Sequence, residues 1–256
     1  MRVVLADPPA FTPPYDHALA AALARAGAEV ELVTSRFRFG ETPEPEGYLR
    51  SELFYPLSSR LFRRSRLRLP LKALEHPLGL ARLRARPADV LHVQWLALPG
   101  LDARLLHHHA PLVFTAHDLL PRRTAAKSGL WRRFFAGCER IVVHSGRGRD
   151  ALAGLGVAGP KLRVIPHPVF ASDPERREDG RTVLALGVIR PYKQLDHAAE
   201  AVRRVTGARL LVAGDPTCPL PPLDGTELGL GYLARAELER ALGDATVAVF
   251  PYRAEL

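Results

Sequence analysis

Short apolar runs alternate with stretches of helical periodicity along most of the chain. The runs have the length and the β-branched content of buried parallel strands, and apolar residues recur at helical spacing in several stretches between them. Strands are predicted at residues 3–6, 30–34, 90–93, 112–115, 141–143 and 163–165, with helices such as 18–26 between several of them. This alternation predicts an α/β fold with a doubly wound parallel sheet.

A polar segment at residues 172–180, rich in Asp, Glu and Arg, interrupts this alternation. Its composition is typical of a linker. Strands are then predicted at residues 183–186, 209–213 and 247–250, where a second alternation begins. We therefore expect a first domain at 1–172, a linker at 173–180 and a second domain at 181–256. Because a doubly wound domain normally has about five or six strands, we also expect the second domain to be incomplete and the sequence truncated.

The stretch Gly187-Val188-Ile189-Arg190-Pro191-Tyr192-Lys193 lies between the predicted strand at 183–186 and a helix-patterned stretch at 195–205. A glycine lets the backbone approach a ligand closely, and the N-terminus of a helix attracts anions. Arg190 can donate to two phosphate oxygens, while Lys193 supplies a point charge. The spacing predicts a phosphate-binding turn, and the residues alone fit a solvated Arg and Lys beside an ordinary turn equally well.

This stretch resembles the Gly-x-Ile-Arg-Pro-Tyr-Lys-Gly segment of family 4 glycosyltransferases. Further segments that resemble the family follow in its order at residues 13–19, 27–34, 92–95, 113–118, 142–145, 164–168 and 211–215. The resemblance implies a GT-B fold, in which two Rossmann-like domains face each other, and a retaining hexosyltransferase-type enzyme whose donor is a nucleotide-diphosphate sugar. Two positions depart from the family, since many relatives have Arg in place of Val188 and most have Gly in place of Gln194.

The resemblance also implies roles for individual residues. His117 follows the predicted strand at 112–115 and matches the family histidine beside the donor sugar, which makes it the candidate catalytic residue. Ligand sites of open α/β sheets do lie beyond the carboxyl ends of strands. A structural histidine bonded to Asp118 or to a loop carbonyl is the alternative, and His144 and His167 are secondary candidates. The other implied residues are Gly187, Arg190 and Lys193 for the donor diphosphate, Gly231 and Leu233 for the nucleobase, and Pro13, Pro14 and Tyr15 for the acceptor side.

No metal site and no cofactor other than the sugar nucleotide are expected. The cysteines Cys138 and Cys218 form no metal-binding pair, and the tract at 107–109 is expected to be a water-facing histidine cluster at a helix end. Two cations that neutralise the diphosphate would also make a metal unnecessary. The family's pair of glutamates after the last equivalent strand is not found, because Glu255 is the only carboxylate past Tyr252.

The composition is that of an ordinary soluble enzyme, with 47% apolar and 25% charged residues. The two cysteines give no disulfide framework, which fits a reducing cytoplasm. Arg2 directly follows Met1, and the first apolar run is far too short for a signal peptide or a membrane span. These features predict a cytoplasmic protein.

The net charge of +9 is most concentrated between Arg60 and Arg86, where leucines alternate with arginines that include Arg63, Arg64 and Arg66. Such a surface can contact anionic lipid headgroups, so a peripheral contact with the inner face of the membrane is one hypothesis. A solvated basic helix face is the more common outcome, and Pro70 and Pro77 are expected to interrupt a helix here. Nucleic acid is not an expected partner, because no aromatic interleaving or recognition motif accompanies the charge.

Two other functions remain open from the sequence. The stretch 146–151 fits the dinucleotide-binding pattern G-x-G-x-x-A, and Asp173 lies roughly where a ribose-binding acid would, which indicates an NAD(P)-dependent Rossmann oxidoreductase or epimerase. However, that pattern normally closes the first strand-to-helix turn, which here is Asp7-Pro8-Pro9, and proline cannot donate an N–H to a pyrophosphate. The second alternative is a catalytically silent binding fragment, since the glutamate pair is not found.

Overall fold

The computed structural model describes residues 1–61, 65, 67–120, 124–170 and 174–252. These residues form two compact units. The first unit contains Met1–Arg38 and Thr42–Pro168, and the second contains Phe39–Glu41 and the chain from Val169 onward. Each unit has its own parallel sheet, which confirms the α/β class with two Rossmann-like units. Asp173, at the predicted start of the linker, lies outside the described residues.

The first sheet has seven strands in the order β3-β2-β1-β4-β5-β6-β7, and every neighbouring pair is parallel. Because the strand order reverses beside β1, the sheet is doubly wound as the apolar pattern predicts. Its strands are β1 Arg2–Asp7, β2 Glu29–Ser35, β3 Leu49–Phe54, β4 Val90–Val93, β5 Leu112–Thr115, β6 Arg140–Val143 and β7 Leu162–Val164.

Alternate residues of β1 supply the cores on the two faces of the first sheet. Val3 and Leu5 pack in one cluster with Ala20 of the first helix, while Val4 and Ala6 belong to a larger cluster on the opposite face. This two-sided burial explains why the strand reads as a continuous apolar run. The helices that cover the sheet are α1 Pro13–Arg25, α2 Arg68–Arg84, α3 Pro99–Leu105, α4 Ser128–Gly137 and α5 Gly146–Gly154.

Two features of the first unit differ from the sequence prediction. The edge strand β3 was not predicted, because its mixed sequence Leu-Arg-Ser-Glu-Leu-Phe leaves most of its residues partly or fully exposed. The expectation that prolines interrupt a helix in the basic stretch is wrong, since α2 continues through Pro77. The stability gained by burying Leu80 and Leu83 on this helix offsets the stability lost because proline cannot donate a backbone hydrogen bond. Arg63, Arg64 and Arg66 of the basic stretch lie outside the described residues.

The second sheet has four described strands in the order β10-β9-β8-β11, all parallel. Strand β10 was not predicted, because it has only four residues, of which one is a glycine and three are exposed. The last strand is also shorter than the predicted run at 247–250. The elements are β8 Thr182–Leu186, α6 Leu195–Arg203, β9 Arg209–Gly214, β10 Glu227–Leu230, α7 Arg235–Asp244 and β11 Val247–Ala248.

The described part of the predicted linker packs against the end of α7. The backbone N–H of Arg177 donates to the Gly243 carbonyl at 2.9 Å, and Arg176 Nη1 donates to the Ala245 carbonyl at 3.2 Å. A Cβ atom on Gly243 would lie 2.3 Å from the Glu175 carbonyl oxygen, so this close contact requires glycine. Residues 174–177 are thereby attached to the second unit.

Within the described ranges, none of the helices combines the length and the apolar character that crossing a membrane requires.

Candidate functional site

The carboxyl ends of three neighbouring strands in the first sheet carry a cluster of rings. His117 follows β5, and its ring stacks on the ring of Trp95, which follows β4, with centroids 4.9 Å apart and planes 9° apart. Tyr15 of α1 approaches His117 edge-on at 4.6 Å. His144 follows β6, and the centroid of its ring lies 5.2 Å from that of His117. The parallel sheet therefore brings together side chains that are far apart in the sequence.

A chain of hydrogen bonds runs through this ring cluster. His117 Nε2 lies 3.0 Å from Gln94 Oε1, and His117 Nδ1 lies 3.3 Å from His144 Nε2. His144 Nδ1 in turn lies 2.9 Å from the Ile165 carbonyl oxygen. Gln94 is fully buried, and its amide nitrogen has no hydrogen-bond partner among the described residues. His117 thus bonds Gln94 and His144, and not Asp118 or a loop carbonyl as the structural alternative expected.

Burial keeps His117 uncharged. Loss of water around the half-buried ring lowers its pKa to about 3, and repulsion from His144 and His167 acts in the same direction. The neighbouring His92 has its pKa lowered to about 4 by burial, and its Nε2 bonds Thr115 Oγ1 at 2.8 Å. His117 is therefore a neutral ring at physiological pH, with both nitrogens already bonded to protein groups. It is poorly suited to act as a general acid, because that role requires a pKa near the working pH.

A buried pair of carboxyl groups lies beside the ring cluster at the end of β1. Asp7 Oδ2 accepts hydrogen bonds from the backbone N–H groups of Phe11 at 2.7 Å and Thr12 at 3.2 Å. Burial raises the pKa of both Asp7 and Asp16, and the charge of Asp7 raises the pKa of Asp16 further. Burial and the neighbouring charge both favour the protonated form of Asp16. This pair fixes the loop that leads into α1.

The predicted acceptor-side residues lie at the start of α1. Pro13 and Pro14 occupy its first turn, where the missing proline N–H has no helical partner to lose. The helix predicted at 18–26 therefore begins five residues earlier than expected. Tyr15 is buried and contacts His117 and His144. The structure therefore brings Tyr15 and His117 together.

Three glycines line the carboxyl edge of the second sheet. Gly187, Gly214 and Gly231 have φ angles of +100°, +151° and +126°, which residues with a Cβ rarely adopt. The Gly187 N–H donates to the Ala213 carbonyl, and the Gly231 N–H donates to the Gly214 carbonyl. A Cβ atom on Gly214 would lie 2.2 Å from the Gly187 carbonyl oxygen. Among the described residues, nothing lies within 4 Å of a Cβ atom added at Gly231, whereas a Cβ atom added at Gly187 would meet the side chain of Lys193.

Lys193 lies beneath the Gly187 turn. Its Nζ donates to the Leu186 carbonyl at 2.8 Å and lies 2.9 Å from where a Cβ atom on Gly187 would be. The side chain is buried, and burial together with the charge of Arg190 lowers the pKa of Lys193. Arg190 itself is exposed at the start of a short 3₁₀ turn. The structure therefore gathers Gly187, Arg190 and Lys193 around one turn.

The departure at Gln194 has a backbone consequence. Gln194 adopts a left-handed conformation with φ +47° and ψ +48°, which costs a residue with a Cβ about 1–2 kcal/mol. Glycine adopts this conformation without strain, which explains in physical terms why relatives have glycine there. At the predicted nucleobase turn, Leu233 packs against the core residues Leu184, Ala213 and Ala245. The side chain of Tyr232, between Gly231 and Leu233, is exposed instead.

Sequence reasoning missed Gln94, Trp95 and the pair Asp7 and Asp16. Gln94 and Trp95 directly follow a predicted strand, so their position was a usable signal. The acidic pair gave no such signal, because its two members come together only when α1 packs on the sheet. The described residues contain no group of three or more His, Cys, Asp or Glu side chains arranged to hold a metal ion.

Gly146 and Gly148 open α5 after β6, near the edge of the first sheet and not at its first strand-to-helix turn. The side chain of Ser145 accepts the Gly148 N–H at 3.0 Å. Ser145 thus caps the helix, and the Gly148 N–H is not free for a pyrophosphate, so the dinucleotide-binding alternative is disfavoured. Of the histidine tract, His107 and His109 are exposed, and His108 Nε2 bonds the Arg86 carbonyl at 3.0 Å.

Comparison with solved structures shows the same fold at low sequence identity. A structure of Alr3699/HepE from Anabaena in complex with UDP-glucose matches with a TM-score of 0.58 and 12% identity, covering 97% of this chain and 73% of that one. The apo lipopolysaccharide outer core galactosyltransferase WaaB matches with a TM-score of 0.56 and 10% identity, covering 97% and 73%. A putative UDP-N-acetylglucosamine 2-epimerase from Listeria monocytogenes matches with a TM-score of 0.61 and 10% identity, covering 96% and 73%.

These similarities establish the GT-B fold class and not an activity, because an epimerase and transferases share it. No curated protein matches the chain significantly by sequence. The sequence profile of Glycosyltransferase Family 4 does match, over residues 15–172. This match covers more than half of the chain and includes the whole ring cluster. The chain therefore belongs to Glycosyltransferase Family 4.

Proposed function

We propose that the protein is a hexosyltransferase that moves a sugar from a nucleotide-diphosphate sugar to an acceptor with retention of configuration. Family membership supports the reaction type. Nucleotide-sugar complexes among proteins of the same fold, such as HepE with UDP-glucose, support the class of donor. The observation that carries the proposal is the turn of the second unit at which Gly187, Arg190 and Lys193 meet.

The donor diphosphate binds at this turn. An ammonium group has three N–H donors, and Lys193 uses one of them on the Leu186 carbonyl, which leaves two for phosphate oxygens. The exposed guanidinium of Arg190 donates to the diphosphate from the outer side of the turn. Because Gly187 has no side chain, the phosphate can approach the backbone closely. Backbone groups of Gly231 and Leu233 hold the nucleobase, since the Leu233 side chain packs inward.

The chemistry is electrostatic. Breaking the bond between sugar and diphosphate develops negative charge on the leaving group, and preplaced cations stabilise that charge in the transition state. Arg190 and Lys193 supply two positive charges, so the transfer needs neither a metal ion nor a further cofactor. Turnover that persists in the presence of EDTA would support this part of the proposal, and loss of turnover restored by a divalent cation would contradict it.

The acceptor binds on the first unit, beside Pro13, Pro14 and Tyr15. His117 is the catalytic residue proposed beside the sugar, and its low pKa restricts it to contacts as a neutral ring. Changing His117 to Ala should lower turnover much more than it lowers the thermal midpoint. A large drop in the midpoint with full activity of the remaining folded protein would make His117 a structural residue.

Calorimetry with UDP and with GDP tests the donor site. Charged hydrogen bonds contribute about 1.5–3 kcal/mol each, so changing both Arg190 and Lys193 to Ala should weaken nucleotide binding by about a hundredfold or more. Arg203→Ala is the matched control, because it removes the charge of another exposed arginine near the far end of α6. Equal affinities of the double variant and the control would contradict the assignment. Binding without turnover would favour the silent-fragment alternative.

We also propose that the protein is cytoplasmic and associates peripherally with the anionic inner face of the membrane. Leu67, Leu74 and Leu78 are exposed at positions that lie along one side of α2, and Arg82 and Arg84 of the same helix are exposed as well. Apolar side chains between cations are the combination that binds anionic lipid surfaces.

Sedimentation with vesicles tests this association. Binding is expected to phosphatidylglycerol vesicles and not to neutral phosphatidylcholine vesicles, and it should decrease at high salt because charge attraction is screened. The variant with both Leu74 and Leu78 changed to Gln should bind several-fold more weakly. Leu228→Gln, which changes an exposed leucine of the second unit, serves as the control. Equal binding to both lipids would contradict the proposal.

A further inference from the structure

The proton positions on His117 and His144 depend on each other. A backbone carbonyl only accepts hydrogen bonds, so His144 must carry a hydrogen on the Nδ1 atom that lies 2.9 Å from the Ile165 carbonyl oxygen. His144 then has a second hydrogen, on Nε2, only when the ring is a cation. Since His144 Nε2 lies 3.3 Å from His117 Nδ1, the charge of His144 decides which of the two atoms donates.

Each charge state of His144 requires a different tautomer of His117. When His144 is a cation, its Nε2–H donates to His117 Nδ1, and His117 carries its hydrogen on Nε2 and donates to Gln94 Oε1 at 3.0 Å. When His144 is neutral, its Nε2 accepts, so His117 carries its hydrogen on Nδ1. His117 Nε2 then needs a donor, and the Gln94 amide supplies one if it turns by 180° and presents its NH₂ group.

The surroundings of Gln94 allow this turn of the amide. The side chain is fully buried, and His117 is the hydrogen-bond partner found for it in the part of the chain that the structure describes. Because the amide nitrogen has no partner there, no second bond holds the group in one orientation. A buried amide with one satisfied end loses nothing further when its two ends exchange places.

We propose that Gln94 is a positioning residue that couples the tautomer of His117 to the charge of His144. Burial disfavours a positive charge on His117 itself, because it lowers the pKa of that ring to about 3. The titratable groups that face the two rings are His167, 5.1 Å from His144, Tyr15 against both rings, and His92, whose charge also opposes protonation of His117. The buried carboxyl groups of Asp7 and Asp16 also lie beside the ring cluster, and Asp16 raises the pKa of Tyr15, but the charges that act on His117 are those of His144, His167 and His92.

The coupling deepens the proposed transferase function and depends on it only for its use in catalysis. The charge state of His144 would set both the local charge beside Tyr15 and the hydrogen-bond character of the His117 ring. A pH profile of kcat/KM would then follow the titration of His144 and not that of His117. The coupling itself is a property of the free protein and is measurable without any sugar nucleotide.

Long-range ¹H–¹⁵N NMR of the imidazole nitrogens in the full chain tests the inference between about pH 5 and 9, the range in which histidine side chains titrate. In the wild type, the hydrogen of His117 should move from Nε2 to Nδ1 as pH rises, with the midpoint of His144. In Gln94→Glu an ionised carboxylate only accepts, so His117 should keep its hydrogen on Nε2 and the midpoint of His144 should rise by about one pH unit.

Two further variants separate coupling from general disturbance. Gln94→Met has a similar shape and no hydrogen-bonding group, so the His117 tautomer should cease to follow His144. Thr115→Val removes the corresponding partner of the buried His92 and should leave both His117 and His144 unchanged. A His117 tautomer that stays constant while His144 titrates in the wild type overturns the inference, whatever the variants do. Failure of nucleotide binding or turnover would count against the proposed function alone.

Discussion

The carboxyl edges of the two parallel sheets have opposite chemistry. The edge of the first sheet carries a ring cluster of Trp95, His117 and His144, with a buried glutamine and a buried acid pair behind it. The edge of the second sheet carries glycines with left-handed backbone and the cations Arg190 and Lys193. The same position in the fold thus gives a hydrogen-bonded network of side chains in one unit, and closely spaced glycine backbone with two cations in the other.

The two edges constrain their residues in different ways. In the first unit, hydrogen bonds between side chains fix the site, so a mutation changes protonation and ring orientation. In the second unit, close backbone contacts fix the site, so added atoms cause steric clashes. Three predictions test this comparison, and they follow in order of expected effect.

The largest effect is expected for Gly214→Ala. The new Cβ atom would lie 2.2 Å from the Gly187 carbonyl oxygen, in a backbone conformation that only glycine adopts easily. Overpacking and strain together should lower the free energy of unfolding of the second unit by about 2–4 kcal/mol. Gly225→Ala is the control, because Gly225 also has a positive φ but nothing lies within 4 Å of its added Cβ. Equal losses in both variants, measured by chemical denaturation, would mean that backbone strain and not the close contact matters.

An intermediate effect is expected when the first unit is acidified. The pKa of His92 in the folded state is lowered to about 4. Between this value and the ordinary histidine pKa of 6.5, the ring is protonated in the unfolded chain and neutral in the folded protein. Stability contributed by the neutral ring is therefore present above pH 6.5 and lost as pH falls, by about 1.4 kcal/mol per pH unit, or about 2 kcal/mol at pH 5.

The raised pKa values of Asp7 and Asp16 act in the opposite direction, because the folded state binds protons on these carboxyl groups more tightly than the unfolded chain does. His92→Gln isolates the contribution of His92, since it removes this ring and leaves the acid pair and the neutral His117 in place. The variant should lose less stability than the wild type between pH 7 and 5. Identical pH dependence in denaturant titrations that follow the first unit would show that His92 is not the cause.

The smallest effect is expected for Gln194→Gly. Glycine removes the strain of the left-handed conformation but increases the freedom of the unfolded chain, so the gain should be at most about 1 kcal/mol. Gln194→Ala is the control, because alanine keeps a Cβ and with it the strain. If glycine and alanine gave the same thermal midpoint, the left-handed conformation would not limit stability. If glycine also strengthened nucleotide binding, the departure at Gln194 would affect the diphosphate turn directly.

The described residues show where sequence patterns succeed. Strands buried on both faces, such as β1, β4 and β5, read as apolar runs and were predicted within a residue or two at each end. The edge strand β3 and the exposed strand β10 were missed, because an exposed strand needs few apolar residues. The interruption expected at Pro77 was wrong, since packing of α2 on the sheet outweighs the local cost of proline.

The part of the candidate site in the second unit was predictable from the sequence, whereas the part in the first unit was only partly predictable. The turn from Gly187 to Lys193 is local, so seven consecutive letters contain the glycine, the two cations and the change from strand to helix. His117 was found because it follows a strand. Its partner Gln94 is 23 residues away, and nothing in the sequence indicates which histidine that glutamine will contact.

The α/β class, most buried strands and the residues that meet at the turn from Gly187 to Lys193 follow from the amino-acid sequence, because each of these depends on neighbours within a few positions. The neutral state of His117, the bonds at both of its nitrogens, the raised pKa of Asp16 and the unpartnered amide nitrogen of Gln94 depend on the packed fold. A pKa depends on water exclusion and on charges within a few ångströms. Those distances exist only after the strands have aligned and the helices have packed on them.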